Sequence, residues 1–116
     1  MDVEKILHIL AQTHTCPIVT GVVTGDIITS HYLENGKISR FALPLIGGYY
    51  HGSGDVFTAA LVGALARGKG LDKAVELASR FTTQAIECTA KHVGHEARYG
   101  VFFEEAIFDF LKALNE

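Results

Sequence analysis

Four consecutive residues, Gly52-Ser53-Gly54-Asp55, combine the types needed to bind an anion and to move a proton, and an apolar helical run follows them directly. Glycines can adopt backbone conformations that expose N–H groups. A helix that begins there directs its free N–H groups and the positive end of its dipole into the same space. This anion cradle, residues 52–55, is suited to holding a phosphoryl group, and the Asp55 carboxylate can accept a proton from the attacking group. The alternative interpretation is that Asp55 only caps the helix.

Two segments resemble known phosphate- and dinucleotide-binding motifs but do not match them. Residues 63–70 nearly match the P-loop pattern GxxxxGK[ST], but Gly70 stands where a Ser or Thr would hold magnesium. The segment also lies at the end of a predicted helix, where Gly68 and Gly70 are better explained as a C-cap. Gly52 and Gly54 match the first two glycines of the dinucleotide-binding pattern GxGxxG, but Phe57 stands in place of the third. The acidic residue that should end a second parallel strand further on is not found either.

No metal site is predicted. Cys88, His92 and His95 are spaced to share one helical face, and both residue types are zinc ligands. However, Gly94 is expected to end the helix before His95, and Cys88 falls on an apolar stripe. His51 directly precedes the cradle and could either contact bound phosphate or line the loop. The residues leave both possibilities open.

Hydrophobic periodicity and turn residues predict one helix, three strands and three further helices. The helices are expected over residues 3–12, about Asp55 to Arg67, Leu71 to about His92, and roughly Phe103 to Leu114. The strands are expected over Pro17–Val23, Ile27–Leu33 and Lys37–Leu43, with turns at Gly25-Asp26 and Asn35-Gly36 and a loop from Leu45 to Tyr50. The last helix is expected to bury Phe103, Ala106, Ile107, Phe110, Leu111 and Leu114.

Two of these elements carry apolar residues on every side. The first strand, Pro17–Val23, is an apolar β-branched run that is typical of burial on both faces. The helix from Asp55 is apolar nearly all round, which predicts burial on several sides, whereas the helix from Leu71 carries one polar stripe. Three strands and three other helices are too few to cover that helix completely. The pattern therefore indicates part of a larger layered α/β fold.

Composition excludes several classes of protein. With 116 residues, 48% of them hydrophobic and 20% charged, the chain is one globular domain or a piece of one. Its net charge of −3 and scattered basic residues argue against nucleic acid as a partner, and no apolar run approaches membrane-spanning length. Cys16 and Cys88 lie in apolar segments and no secretory signal is recognised, which predicts two buried thiols in a cytoplasmic protein.

The cradle and the alanine-rich helix after it closely resemble the G-[TSA]-G-D anion-hole signature of the ribokinase-like superfamily. The resemblance continues in the Pro17–Gly21 strand, in the hairpin from Ile27 to Leu43, and in the junction from Gly68 to Val75. It implies a three-layer α/β/α fold of which this chain is the C-terminal part: a strand, a β-hairpin, then three helices. Residues 1–116 would then be a single partial domain on the ATP side of a kinase more than twice as long.

Within the superfamily, the segments from His51 to Asp55 and from Glu96 to Glu104 are most similar to bacterial pyridoxal/pyridoxamine kinases. The resemblance implies ATP-dependent phosphorylation of the hydroxymethyl group of a vitamin B6 vitamer. Hydroxymethylpyrimidine kinases of thiamine synthesis share the cradle and remain an alternative.

The same resemblance assigns roles to individual residues. Asp55 would be the catalytic base, while Gly52, Ser53 and Gly54 would bind the ATP phosphates through their N–H groups. Thr20 and Gly21 would hold the nucleotide. Mg²⁺ would be required, but its acidic ligands belong to the part of the kinase that this chain lacks. The chain is therefore expected to be inactive alone and either to form a homodimer or to pair with the missing N-terminal part.

Two other classes of function remain open. One is a non-catalytic nucleotide-binding module, in which Asp55 would not be needed for ATP binding. The other is a structural half that works only by pairing, which would expose a large apolar face along Pro17–Val23 or Val56–Ala66.

Overall fold

A computed structural model describes residues 2–13, 15–46, 53–91 and 104–116. Its elements are α1 (Val3–Ala11), β1 (Ile18–Thr24), β2 (Ile27–Glu34), β3 (Lys37–Pro44), α2 (Ser53–Ala66), α3 (Leu71–Lys91), a 3-10 turn (Glu104–Ala106) and α4 (Ile107–Leu114). They belong to two compact units, Met1–Leu45 and Ile46–Glu116. The predicted mixed α/β class and the order of strand, hairpin and helices are confirmed.

The strands of the first unit form an antiparallel sheet in the order β1-β2-β3. Asn35 and Gly36 both have positive φ, 53° and 78°, and they connect Glu34 to its cross-strand partner Lys37. Positive φ at both central residues is what a type I′ turn requires, and Asn-Gly is a favoured pair for it. The predicted hairpin is confirmed. The other predicted turn, at Gly25 with φ of 61°, joins β1 to β2.

β1 is less buried than its sequence indicates. It pairs only with β2 in the described sheet, none of its residues is buried, and Val23 is 54% exposed. The prediction that this strand is buried on both faces is wrong for this chain, because α1 is the one described helix of the unit available to cover the sheet. α1 contacts β1 and β2, and buries Leu7 completely. Cys16, just before β1, is exposed, which corrects the prediction of two buried thiols.

The second unit is built on close packing of α2 against α3. The buried residues that form its core are Phe57, Ala60, Ala64, Ala74, Leu77, Ala78, Phe81, Ala85, Ala106 and Leu114. The many alanines keep side-chain volume small between the helices, and Phe81 of α3 stacks on Phe110 of α4 with ring centroids 4.9 Å apart. The opposite side of α3 is the predicted polar stripe, where Glu76 pairs with Arg80 at 3.2 Å. Such exposed pairs contribute only about 0–1 kcal/mol, so packing dominates.

α2 ends in a glycine cap. Gly68 has φ of 85°, its N–H donates to the carbonyl oxygen of Leu65 at 3.0 Å, and the Lys69 N–H donates to that of Ala64 at 3.1 Å. These two bonds define a Schellman motif, in which glycine is preferred because its φ is positive. The segment that imitates a P-loop is therefore the end of a helix, as predicted.

α4 differs in part from its prediction. Ala106 and Leu114 are buried as expected, but Leu111 is 47% exposed. Phe108, which was not predicted to be buried, is 79% exposed. The predicted start at Phe103 lies outside the described residues. Burial of Leu111 was predicted from spacing alone, which does not show how far the buried side extends around α4. None of the helices in the described ranges has the length and apolar character required to cross a membrane.

Candidate functional site

The candidate site is the first turn of α2. Ser53, Gly54 and Asp55 are the first three residues of this helix, and the Asp55 side chain is exposed. N–H groups in a first turn have no acceptor within the helix, and the helix dipole makes the same region attractive to anions. Three of the four cradle residues thus lie in the first turn, where the helix begins two residues earlier than the predicted start at about Asp55. Their binding of an anion stays a prediction. Gly52 and the adjacent His51 lie outside the described residues, so their roles stay predictions.

Gly54 contributes space to this turn rather than an unusual backbone conformation. It lies inside the helix and its φ is not positive, unlike those of Gly21, Gly25, Gly36 and Gly68. A Cβ added to Gly54 would meet no atom within 4 Å, so the region beside its Cα is open. An approaching phosphate oxygen could use that region, which any larger side chain would occupy.

Thr58 supports the first turn from one turn further along. Its hydroxyl donates to the carbonyl oxygen of Gly54 at 2.9 Å. The sequence singles out Thr58 as the polar residue in an otherwise apolar run, but it does not indicate this contact. A Thr early in a helix is the available signal, because Ser and Thr hydroxyls often bond to the carbonyl four residues earlier.

Thr20 and Gly21 form an irregularity in β1. Val19 pairs with His31 and Val22 pairs with Thr29, so two residues of β1 stand opposite Ser30 alone. Thr20 is exposed, and Gly21 has φ of 71°, a conformation that favours glycine. These two residues belong to the first unit, and Ser53–Asp55 belong to the second. Their contact with a nucleotide stays a prediction.

A zinc or magnesium site does not assemble in the described part of the chain. No group of three His, Cys, Asp or Glu side chains in the described ranges could hold a metal ion. Cys88 is half-buried in α3, and His92 and His95 lie outside the described residues. The prediction that these three residues bind no zinc therefore remains to be tested.

Comparison with known proteins gives a consistent family. A family model described as phosphomethylpyrimidine kinase matches residues 1–100. A search of curated proteins with this sequence found no match.

Solved kinases share the fold. The chain is 28% identical to a pyridoxal kinase from Lactobacillus plantarum, with a TM-score of 0.88 over 100% of this chain and 43% of that one. A pyridoxal kinase from Entamoeba histolytica is 20% identical, with a TM-score of 0.77 over 97% of this chain and 41% of its own.

A third solved structure is connected with both a pyrimidine and pyridoxal. It is a protein from Bacteroides thetaiotaomicron, provisionally named a phosphomethylpyrimidine kinase and crystallised with pyridoxal. It is 23% identical, with a TM-score of 0.83 over 94% of this chain and 40% of that one. The chain therefore spans about two fifths of the length of the solved kinases that it matches.

Proposed function

Because the chain belongs to the phosphomethylpyrimidine kinase family, within the ribokinase-like superfamily, we propose that it carries the catalytic base and phosphate cradle of a vitamin B6 kinase. In the complete kinase, ATP would phosphorylate the hydroxymethyl group of pyridoxal, pyridoxamine or pyridoxine. The observation that carries the proposal is the position of Asp55: an exposed carboxylate in the first turn of α2, next to N–H groups that have no acceptor within the helix and to an open glycine.

The mechanism uses two properties of this turn. Asp55 accepts the hydroxyl proton as the substrate oxygen forms its bond to the γ-phosphorus of ATP, and ADP leaves as the bond to its oxygen breaks. The transition state is loose, so positioning and charge stabilisation supply most of the rate. The N–H groups of Ser53 and Gly54, together with that of Gly52, would stabilise the charge on the transferred phosphoryl group. Thr20 and Gly21 would hold the nucleotide.

Mg²⁺ would neutralise phosphate charge in such a reaction, but the described residues do not form a site for it. On the family resemblance we assign its ligands to the N-terminal part of the kinase, and we derive no step of this chain from the metal. The same division implies that residues 1–116 form one partial domain, completed by that N-terminal part or, as the alternative, by a second copy of the chain. A role in cytoplasmic B6 salvage follows from the same proposal.

A hydroxymethylpyrimidine is the second candidate substrate, because the matching family model is named for the phosphomethylpyrimidine kinase reaction. Pyridoxal is placed first because two solved relatives are named pyridoxal kinases and a third was crystallised with pyridoxal. Comparing kcat/KM of the complete kinase for the B6 vitamers and for hydroxymethylpyrimidine separates the two candidates. Faster turnover of the pyrimidine would reverse the assignment.

Asp55→Asn tests the role of the base. In the complete kinase we expect this substitution to lower kcat by at least about a hundredfold with little change in ATP affinity, as for the loss of a general base. Asp72→Asn is the matched control, because Asp72 is also an acid in the first turn of a helix, α3. If Asp55 served only as a helix-terminal charge, both variants would lose a few tenths of a kcal/mol of stability and keep their turnover. A wild-type complete kinase that binds ATP without turnover would instead favour the non-catalytic module.

A further inference from the structure

Thr58 is the one polar side chain of α2 after Asp55, and it is exposed. Threonine is a poorer helix former than the alanines that follow it, and an exposed side chain adds little to the packing of a core. Neither helix formation nor packing therefore accounts for a threonine at this position. Its hydroxyl donates to the carbonyl oxygen of Gly54 at 2.9 Å, and Gly54 lies in the first turn of the helix.

The carbonyl that accepts this bond belongs to the same peptide group as the N–H of Asp55. The two groups are parts of one planar, delocalised amide, so a hydrogen bond to the oxygen polarises the N–H. Asp55 is the third residue of α2, and its N–H is among those that have no acceptor within the helix. The Thr58 hydroxyl therefore acts on a donor that is available to an anion.

The bond from Thr58 also fixes the orientation of this peptide group. In an α-helix the Gly54 carbonyl accepts the backbone N–H of residue 58 as well, so backbone and side chain of Thr58 hold the same oxygen. Glycine loses more conformational freedom on folding than any other residue, and a second bond restrains the peptide group that follows it. The hydroxyl thus sets the direction of the Asp55 N–H as well as its strength.

α3 contains the same kind of bond in a different setting. The Thr82 hydroxyl donates to the carbonyl oxygen of Ala78 at 2.8 Å. This carbonyl lies inside α3, and the N–H of its peptide group belongs to Ser79, whose acceptor in an α-helix is the carbonyl of Val75. Thr82 is therefore a matched control, because its bond has the same form but acts on a donor that the helix already engages.

We propose that Thr58 is a positioning residue of the phosphate cradle: its hydroxyl strengthens and directs the Asp55 N–H toward the phosphoryl group that is transferred. This inference rests on the proposed function, but not on which substrate receives the phosphoryl group. Removing a complete oxyanion donor lowers kcat by about 10²–10³-fold, and one hydrogen bond strengthens the next by about 10–30%. Applied to the logarithm of kcat, that share makes the Thr58 hydroxyl responsible for about two- to eightfold.

Two substitutions separate the hydroxyl from the shape of the side chain. Thr58→Val removes the hydroxyl and keeps the branched shape, whereas Thr58→Ser keeps the hydroxyl. In the complete kinase we expect Thr58→Val to lower kcat by about two- to eightfold, Thr58→Ser to keep at least about half of it, and Thr82→Val to leave it unchanged. A merely structural role predicts full turnover in Thr58→Val, because hydroxyls bonded in this way slightly destabilise helices.

A binding measurement assigns the effect to the transferred group. ADP with aluminium fluoride and Mg²⁺ imitates the phosphoryl group during transfer, whereas ADP alone lacks that group. Isothermal titration calorimetry of the complete kinase should show that Thr58→Val weakens binding of the fluoride complex by about two- to eightfold and leaves the affinity for ADP unchanged. A general disturbance of α2 would weaken both.

Four results would overturn the proposal. They are wild-type turnover and binding in Thr58→Val, a loss in Thr58→Ser as large as in Thr58→Val, an equal loss in Thr82→Val, and a wild-type kinase that binds the fluoride complex no more tightly than ADP. A kinase that phosphorylates neither a B6 vitamer nor hydroxymethylpyrimidine, while Thr58→Val still weakens the fluoride complex, would refute the proposed function and leave the role of Thr58 standing.

Discussion

α2 and α3 pack against each other through alanines, yet the rest of their surfaces differ. One side of α3 is apolar and buried. The other side carries charged residues, and there Glu76 forms an ion pair with Arg80. α2 has a comparable buried side, but its outer side exposes Val62 and Leu65 where α3 exposes ion pairs. One helix thus has a sequence suited to water on its outer side, and its neighbour does not.

The difference indicates which of the two helices is suited to a further contact. The outer side of α3 is polar, so it is stable in contact with solvent and needs no further packing. The outer side of α2 is apolar and exposed, and the proposed base and cradle are at the start of this same helix. In this chain the proposed catalytic residues therefore belong to the helix whose outer apolar side is exposed.

The largest expected effect concerns the chain by itself. Alone it should show no measurable turnover with pyridoxal, pyridoxamine or hydroxymethylpyrimidine, because it holds only the proposed ATP side of the reaction. Positioning both reactants contributes on the order of 7–11 kcal/mol in favourable cases, and this chain forfeits that contribution. A coupled assay of ADP release with each substrate measures it.

The same chain should self-associate, because α2 exposes apolar side chains and, among the described strands, β1 and β3 each pair on one side only. Light scattering over a range of concentrations measures the mass. Activity from a well-behaved monomer would remove the distinction between α2 and α3, since α2 would then need no cover.

Local sequence signals predicted most of the fold. Asn35-Gly36 identified a hairpin because few residue pairs accept two positive φ angles in succession. The polar stripe of α3 fixed which side of that helix is buried, and Gly68 marked the end of α2. In each case the structural feature depends only on residues that are close together in the sequence.

Signals that depend on distant residues were less informative. β1 and α2 were expected to be buried more completely than they are, because an apolar side chain reveals that it prefers to be covered but not which body covers it. At the candidate site, the residue types and their position at a helix start were predictable. The helical backbone of Gly54 and the hydrogen bond from Thr58 were not, since both depend on where the helix begins.

An intermediate effect separates the two sides of α2 directly. Ala60 is 3% exposed in the core against α3, and its neighbour Ala59 is exposed. Ala60→Leu should lower the free energy of unfolding by about 1–3 kcal/mol, because the added atoms have no room. Ala59→Leu, the same change on the other side, should alter it by less than about 0.5 kcal/mol in the chain alone. Urea unfolding followed by circular dichroism at low protein concentration measures both.

In the complete kinase the two alanines should respond alike, because the partner would then cover Ala59 as well. A loss of stability from Ala59→Leu already in the chain alone would mean that the outer side of α2 is packed without a partner, contrary to the exposure that defines the comparison.

The smallest expected effects test which features of α2 are independent of any partner. Gly68 needs its positive φ for the Schellman motif, so Gly68→Ala should destabilise the chain by about 1 kcal/mol. Gly63 lies within α2 and an added Cβ would meet no atom within 4 Å, so Gly63→Ala should stabilise it by about 0.5–1 kcal/mol. The same substitution within α2 and at its C-terminal cap should thus shift the urea midpoint in opposite directions. The loss at Gly68 should persist in the complete kinase, because the turn is local. The gain at Gly63 should shrink there if the partner approaches that part of α2, and equal shifts at both positions would refute the assigned backbone conformations.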